Sequence, residues 1–163
     1  MGVYKYIILG ILVFILGWLS ADMYKLISNL NIEKPFSVSG YEFSSPGDWV
    51  KESQIKIYSD YVLIKIKNAT WGSFANTNSM DPLLDAQANS IELKPQSEKE
   101  LKVGDIIAYE ADFAEGVVIH RIVKIDSDEN GWYAVAKGDN NVHPDPQKVR
   151  FEQIKGVLVG VIY

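Results

Sequence analysis

The sequence predicts a mainly β protein: an antiparallel sheet that closes on itself like a barrel, behind one N-terminal transmembrane helix. Three observations carry this. From Ile55 onward, short runs of alternating apolar and polar residues follow one another, separated by turn-forming residues. No long helical period interrupts them. Upstream, the stretch from Tyr6 to Ala21 contains no charged residue.

Residues 1–30 are expected to form the membrane anchor. The uncharged stretch covers 16 residues and is bracketed by Lys5 and Asp22. At about 1.5 Å per residue it is short for a hydrocarbon core of about 30 Å. Val3, Tyr4, Met23 and Tyr24 lengthen it, and Lys5 can snorkel to the headgroups. Tyr4, Tyr6, Trp18 and Tyr24 suit the two interfaces. A cleaved signal peptide is the competing reading, opposed by a weakly basic start and by bulky Leu19 in Leu19-Ser20-Ala21. Met23, Leu26, Ile27 and Leu30 extend the helical spacing as an amphipathic stub.

Residues 31–50, broken by Pro35, Gly40, Pro46 and Gly47, read as a linker or lead-in. The β-rich part is 51–163. Its first unit is a hairpin, Gln54–Tyr58 and Tyr61–Ile66 around Ser59-Asp60. Further strands are predicted at Ile91–Leu93, Asp105–Tyr109, Val117–Ile125, Trp132–Ala136 and Val157–Tyr163, with turns at Gly104, Glu129-Asn130-Gly131 and Gly156.

Composition narrows the function classes. The 163 residues carry a net charge of −5, so no basic face suggests nucleic acid. There are no cysteines, which removes disulfides and thiolate chemistry, and two histidines alone do not make a usual zinc set. His143, in a proline-rich loop, reads as an exposed residue rather than a ligand. Asn68-Ala69-Thr70 is a glycosylation sequon only where a cell supplies the machinery.

The chemistry-bearing residues come in one order: Ser79 in Asn78-Ser79-Met80-Asp81-Pro82, His120 in Val118-Ile119-His120-Arg121-Ile122, then Asp139 in Gly138-Asp139-Asn140-Asn141, followed by Asp145. Serine, histidine and aspartate are the types that make a nucleophile, a base and an orienter. Each also has a bland reading. A serine before Asp-Pro commonly bonds its own backbone, and Gly-Asp-Asn-Asn makes a turn. His120 alternates onto a face with Val118 and Ile122, where a polar ring is either satisfied by a partner or functional. Asp145, between Pro144 and Pro146, is held in a stiff loop.

Together these phrases resemble type I signal peptidases of the endoplasmic-reticulum and archaeal branch. That branch carries a serine-methionine-x-proline box, an isoleucine-histidine-arginine strand, and a glycine-aspartate-asparagine-asparagine loop followed by an aspartate. Ser79–Pro82, Ile119–Arg121, and Gly138–Asn141 with Asp145 match these boxes, and Lys102-Val103-Gly104-Asp105-Ile106 resembles the family's strand entry. The likeness covers roughly Ser73 to Tyr163 plus the N-terminal span. Bacterial members use a lysine where this chain has His120. The family's basic-glycine-aspartate phrase is replaced here by Asp85-Ala86-Gln87-Ala88-Asn89-Ser90, and residues 31–67 match no box.

The resemblance implies a membrane-bound serine endopeptidase that cleaves signal peptides from exported preproteins. Ser79 would be the nucleophile, His120 the general base and Asp145 its orienter, with Asp139 supporting the same loop. Thr77 would join the Ser79 N–H in an oxyanion hole, a donor typically worth about 2.7–4 kcal/mol of barrier. Substrate would lie extended between Ser73, Phe74 and Ala75 on one side and Val117, Val118 and Ile119 on the other, added as a β-strand. Trp71 and Phe74 read as core packing, or as a membrane-facing rim around the site. The implied partners are preprotein signal peptides, the lipid bilayer and the export machinery. No cofactor, metal or nucleic acid is implied. The catalytic domain would lie on the extracytoplasmic side of the cell membrane. Two other readings remain: a dedicated relative cutting a few pilin-like or envelope proteins, and a non-catalytic anchored domain that binds extended peptides.

Overall fold

A computed structural model of the chain describes residues 2–29 and 43–163. They fall into two compact units, Met1–Tyr41 and Glu42–Tyr163. In the first, one 27-residue helix, α1 (Val3–Asn29), forms where the uncharged run supplies leucines, isoleucines and no proline. Ile8, Leu12, Phe14 and Trp18 on it are all exposed. Among the described residues, no helix is long and apolar enough to cross a membrane. Leu30 of the expected helical stub and residues 31–42 of the expected linker lie outside the described residues.

The second unit is built of eight strands. β1 (Ile55–Ile57) and β2 (Val62–Ile64) form a separate two-stranded hairpin, registered Ile55 to Ile64 and Ile57 to Val62. Its aliphatic residues are uncovered, Ile57 being 80% exposed. The other six make one antiparallel sheet: β3 (Ala69–Ser73), β4 (Asn89–Leu93), β5 (Ile106–Glu110), β6 (Val117–Asp128), β7 (Gly131–Lys137) and β8 (Ile154–Ile162). Their spatial order is β3-β4-β8-β5-β6-β7.

The expected closed barrel is therefore corrected to an open sheet. Among the described residues, β3 pairs only with β4, and β7 pairs only with β6. Bulges between Ile91 and Glu92, Ala108 and Tyr109, and Ile122 and Lys124 bend the sheet. No ladder joins its edges. β3 is a strand that the sequence reading did not separate from the loop before Ser79. Its burial is nearly uniform, so no period-2 apolar face announces it.

Successive residues of a strand point to opposite faces, and here each face carries its own core. Ile107, Tyr109, Ile122, Ala134, Ala136, Val149, Ile154 and Val157 form one cluster. Ile106 belongs to the other, with Met80, Leu84 and Leu158. Burying such side chains contributes roughly 1.5–3 kcal/mol each. The stretch just before the hairpin belongs to this unit as well. Trp49 packs against the first cluster. Its indole N–H (3.0 Å) and the Gly47 N–H (2.7 Å) both donate to Asp105 Oδ1, while Lys102 N–H (2.8 Å) donates to Oδ2. Three donors satisfy a fully buried carboxylate. Gly104 has no substitute: its φ is +105°, and a Cβ there would stand 2.2 Å from the Ser45 carbonyl oxygen.

Candidate active site

His120 sits on β6 opposite Ile107 of β5, so its ring faces the first core. It is 6% exposed, and a polar ring so placed needs a partner. Asp145 supplies one: its carboxylate oxygens lie 2.8 and 2.9 Å from His120 Nδ1. The loop after β7 delivers Asp145, whose backbone N–H donates to the Ala136 carbonyl at 2.8 Å. A hydroxyl meets the same carboxylate as well, because Tyr109 O–H donates to Asp145 Oδ2 at 2.5 Å. Burial, then this hydrogen bond and the Asp145 charge, push the Tyr109 phenol well above the usual tyrosine range.

Arg121, the next residue, points to the opposite face. Its guanidinium grips Asp139 with two hydrogen bonds, Nε to Oδ1 (2.8 Å) and Nη2 to Oδ2 (2.7 Å), and Nη1 donates to the Gly104 carbonyl (2.8 Å). Asp139 thus reaches Arg121 rather than His120, and fastens the loop from the far side of the sheet.

That loop also holds Ser79. Asn140 N–H donates to the Ser79 carbonyl (2.9 Å), and the Asn140 side-chain amide to the Asn78 carbonyl (2.9 Å). Gly138 lets the two segments touch, since a Cβ there would lie 2.5 Å from the Ser79 carbonyl oxygen. Asn78 takes a left-handed conformation, φ +57°, which asparagine tolerates and which turns the chain sharply before Ser79. Ser79 Oγ lies 3.1 Å from Thr77 Oγ1. It makes no hydrogen bond to His120 in this state.

Ser79, Thr77 and His120 line one cavity of about 400 Å³, together with Ser73, Phe74, Ala75, Val117, Val118 and Ile119. The residues that the resemblance sets around a substrate therefore line one cavity, whereas Asp145 and Asp139 are not among its lining. The cavity draws from two separated strands: Ser73 ends edge strand β3, with Phe74 and Ala75 just after it, and 117–120 open β6. β7 stops at Lys137, opposite Arg121, so among the described residues these first residues of β6 pair with β5 alone. Ile122 N–H and C=O bond toward β5, to the Asp105 carbonyl and the Gly104 N–H. By alternation, the backbone groups of Ile119 and Val117 point to the uncovered side.

Sequence reasoning missed Tyr109, the Arg121–Asp139 pair and the overhang of Phe113, Ala114 and Glu115 on the cavity. Only Tyr109 had a signal: pairing the two strands around Gly116 puts it opposite Val118, next to His120 on one face. Among the described residues, no group of three or more His, Cys, Asp or Glu side chains could hold a metal ion.

The chain is similar to the signal peptidase complex catalytic subunit SEC11 of Eremothecium gossypii, with 35% identity over 79 residues. The aligned part is 42% of this chain and 47% of that protein, so the match spans about half the length of the relative. It supports the resemblance to the endoplasmic-reticulum type of signal peptidase. No family model and no solved structure matches the chain.

Proposed function

We propose that this chain is a membrane-bound serine endopeptidase that removes signal peptides from exported preproteins. The observation that carries the reading is the buried His120–Asp145 pair, whose histidine lines the same cavity as Ser79, beside an uncovered strand edge. A core histidine kept only for packing would need neither a buried carboxylate partner nor a place in that lining.

An extended peptide fits as an added strand against Ile119 and Val117, with Ser73–Ala75 on its other side. As the scissile carbonyl nears Ser79, Oγ attacks it and His120 Nε2 takes the hydroxyl proton. Asp145 holds the Nδ1–H and stabilises the imidazolium that forms. The Ser79 N–H and the O–H of Thr77, whose Oγ1 lies 3.1 Å from Ser79 Oγ, would share the oxyanion. The carbon–nitrogen bond then breaks, and Nε2 passes its proton to the departing amine. Water, deprotonated by the same imidazole, releases the acyl group and restores Ser79. Asp139 acts at a distance, holding the Ser79 loop against Arg121.

The membrane part of the reading rests on α1. It encloses the uncharged run from Tyr6 to Ala21, and every described side chain along that run is exposed to whatever surrounds it. We place the catalytic unit on the extracytoplasmic side, where exported chains emerge, with export machinery as the natural neighbour. Cleavage of one preprotein in liposomes by wild type and Ser79→Ala side by side tests the reading. Equal cleavage by both proteins would overturn it.

A further inference from the structure

We propose that Tyr109 is a positioning residue of this site: its hydroxyl holds the Asp145 carboxylate in the orientation that grips His120 Nδ1. The inference rests on the serine–histidine reading above and adds a residue to it. His120 Nδ1 lies almost equally far from both Asp145 oxygens, 2.9 Å from Oδ1 and 2.8 Å from Oδ2. The imidazole alone therefore does not choose between rotations of the carboxylate. Tyr109 does, through a 2.5 Å hydrogen bond to Oδ2 alone.

Tyr109 is also mechanically suited to this role. Tyr109 is fully buried on β5, which is paired on both sides, with β6 and with β8. Asp145 comes from a loop, tied at its backbone by one hydrogen bond to Ala136. A strand in the middle of a sheet thus steadies a side chain delivered by a connection. Ile, Val and Ala surround Tyr109 in its cluster, so a phenylalanine ring would pack there equally well. The hydroxyl serves the carboxylate, since a buried O–H is otherwise a liability. As an O–H rather than a second carboxylate, it adds no charge to compete with the imidazolium.

The test uses the full chain in detergent, as wild type, Tyr109→Phe, Asp145→Asn and the double variant. Two readouts are taken: kcat and KM on one preprotein, and the downfield proton resonance of His120 Nδ1–H in the resting protein. Tyr109→Phe is expected to lower kcat about 10-fold with KM unchanged, the scale of a small misplacement. The resonance should shift or broaden, and adding Tyr109→Phe to Asp145→Asn should cost nothing further. Unchanged kcat with an unmoved resonance overturns the proposal, whatever the change in melting temperature. If wild type cleaves no preprotein, the peptidase reading fails, and the resonance alone then decides whether Tyr109 orients the pair. Should Tyr109→Phe not fold, fluorotyrosine incorporation strengthens the donor with the ring in place; an unmoved resonance there is again decisive against it.

Discussion

Arg121 and Asp139 are joined by two near-equal hydrogen bonds across opposite ends of one loop's attachment, while His120, one residue earlier, takes Asp145 from the other end of that loop. Strand alternation sends the two side chains to opposite faces of the sheet, so residues 138–145 are pinned from both. His120 and the clip on the Ser79 backbone therefore share one frame.

The ion pair is nearly buried, with side chains 9% and 11% exposed. Removing one partner leaves a charge without a counter-ion. Asp139→Leu or Arg121→Met is expected to destabilise the β unit by about 3–5 kcal/mol, read by urea unfolding. The double variant should recover much of that loss. Single variants as stable as wild type would show that the pair does not fasten the loop.

Ser79→Ala and His120→Ala should each remove turnover, by about 10⁶ where the residues act as a unit. The double variant should be hardly worse than either. Single-turnover assays on a preprotein check this, and losses that multiply would mean that the two side chains work separately.

Asp145→Asn should lower kcat by roughly 10²–10⁴ and leave KM nearly unchanged, because an amide can hold the wrong imidazole tautomer. His120→Lys should not restore activity, since the pocket around Asp145 and Tyr109 favours a charged ammonium that cannot accept the Ser79 proton. Kinetics of both variants on the same preprotein test the assignment. Robust cleavage by the lysine variant would refute it.

Stability should vary with pH at both extremes. Arg150 first, and then Lys148, hold Asp128 well below the usual carboxylate range through hydrogen bonds. A depressed pKa gives stability that is present above the unfolded value of about 3.9 and is lost as pH falls toward the folded one. Asp128→Asn should thus be less stable than wild type at neutral pH, the difference vanishing in acid. Tyr109 has the opposite sign. Its raised pKa gives stability that is present below about 10 and falls as pH rises beyond it, while the unfolded chain ionises and the folded chain does not. Tyr109→Phe should remove that alkaline slope, measured by urea melts across pH.

Much of this was legible in the chain, for physical reasons. The hairpin around Ser59-Asp60 and strands β4 to β8 follow from alternation and turn residues, and their ends lie within a few positions of those expected, although Gly156, expected as a turn, lies inside β8 opposite Ala108. β3 was hidden because Ala69–Ser73 has almost no buried face. Barrel closure was misjudged because pattern shows which residues form strands, and not whether the last strand meets the first. The convergence of Ser73–Ala75, Ser79 and Val117–His120 on one cavity followed the resemblance, whereas Arg121–Asp139 and Tyr109–Asp145 depend on packing between segments 18 and 36 residues apart.

The one-sided start of β6 carries a consequence for where a chain would be cut. A peptide laid along Val117–His120 inherits the pleat of that strand, so its side chains turn alternately toward the cavity and away. Sliding it by one residue would turn every side chain over, and sliding it by two would restore the pattern while moving the bond presented to Ser79. Errors in processing would then fall two residues from the proper site, and seldom at the neighbouring bond.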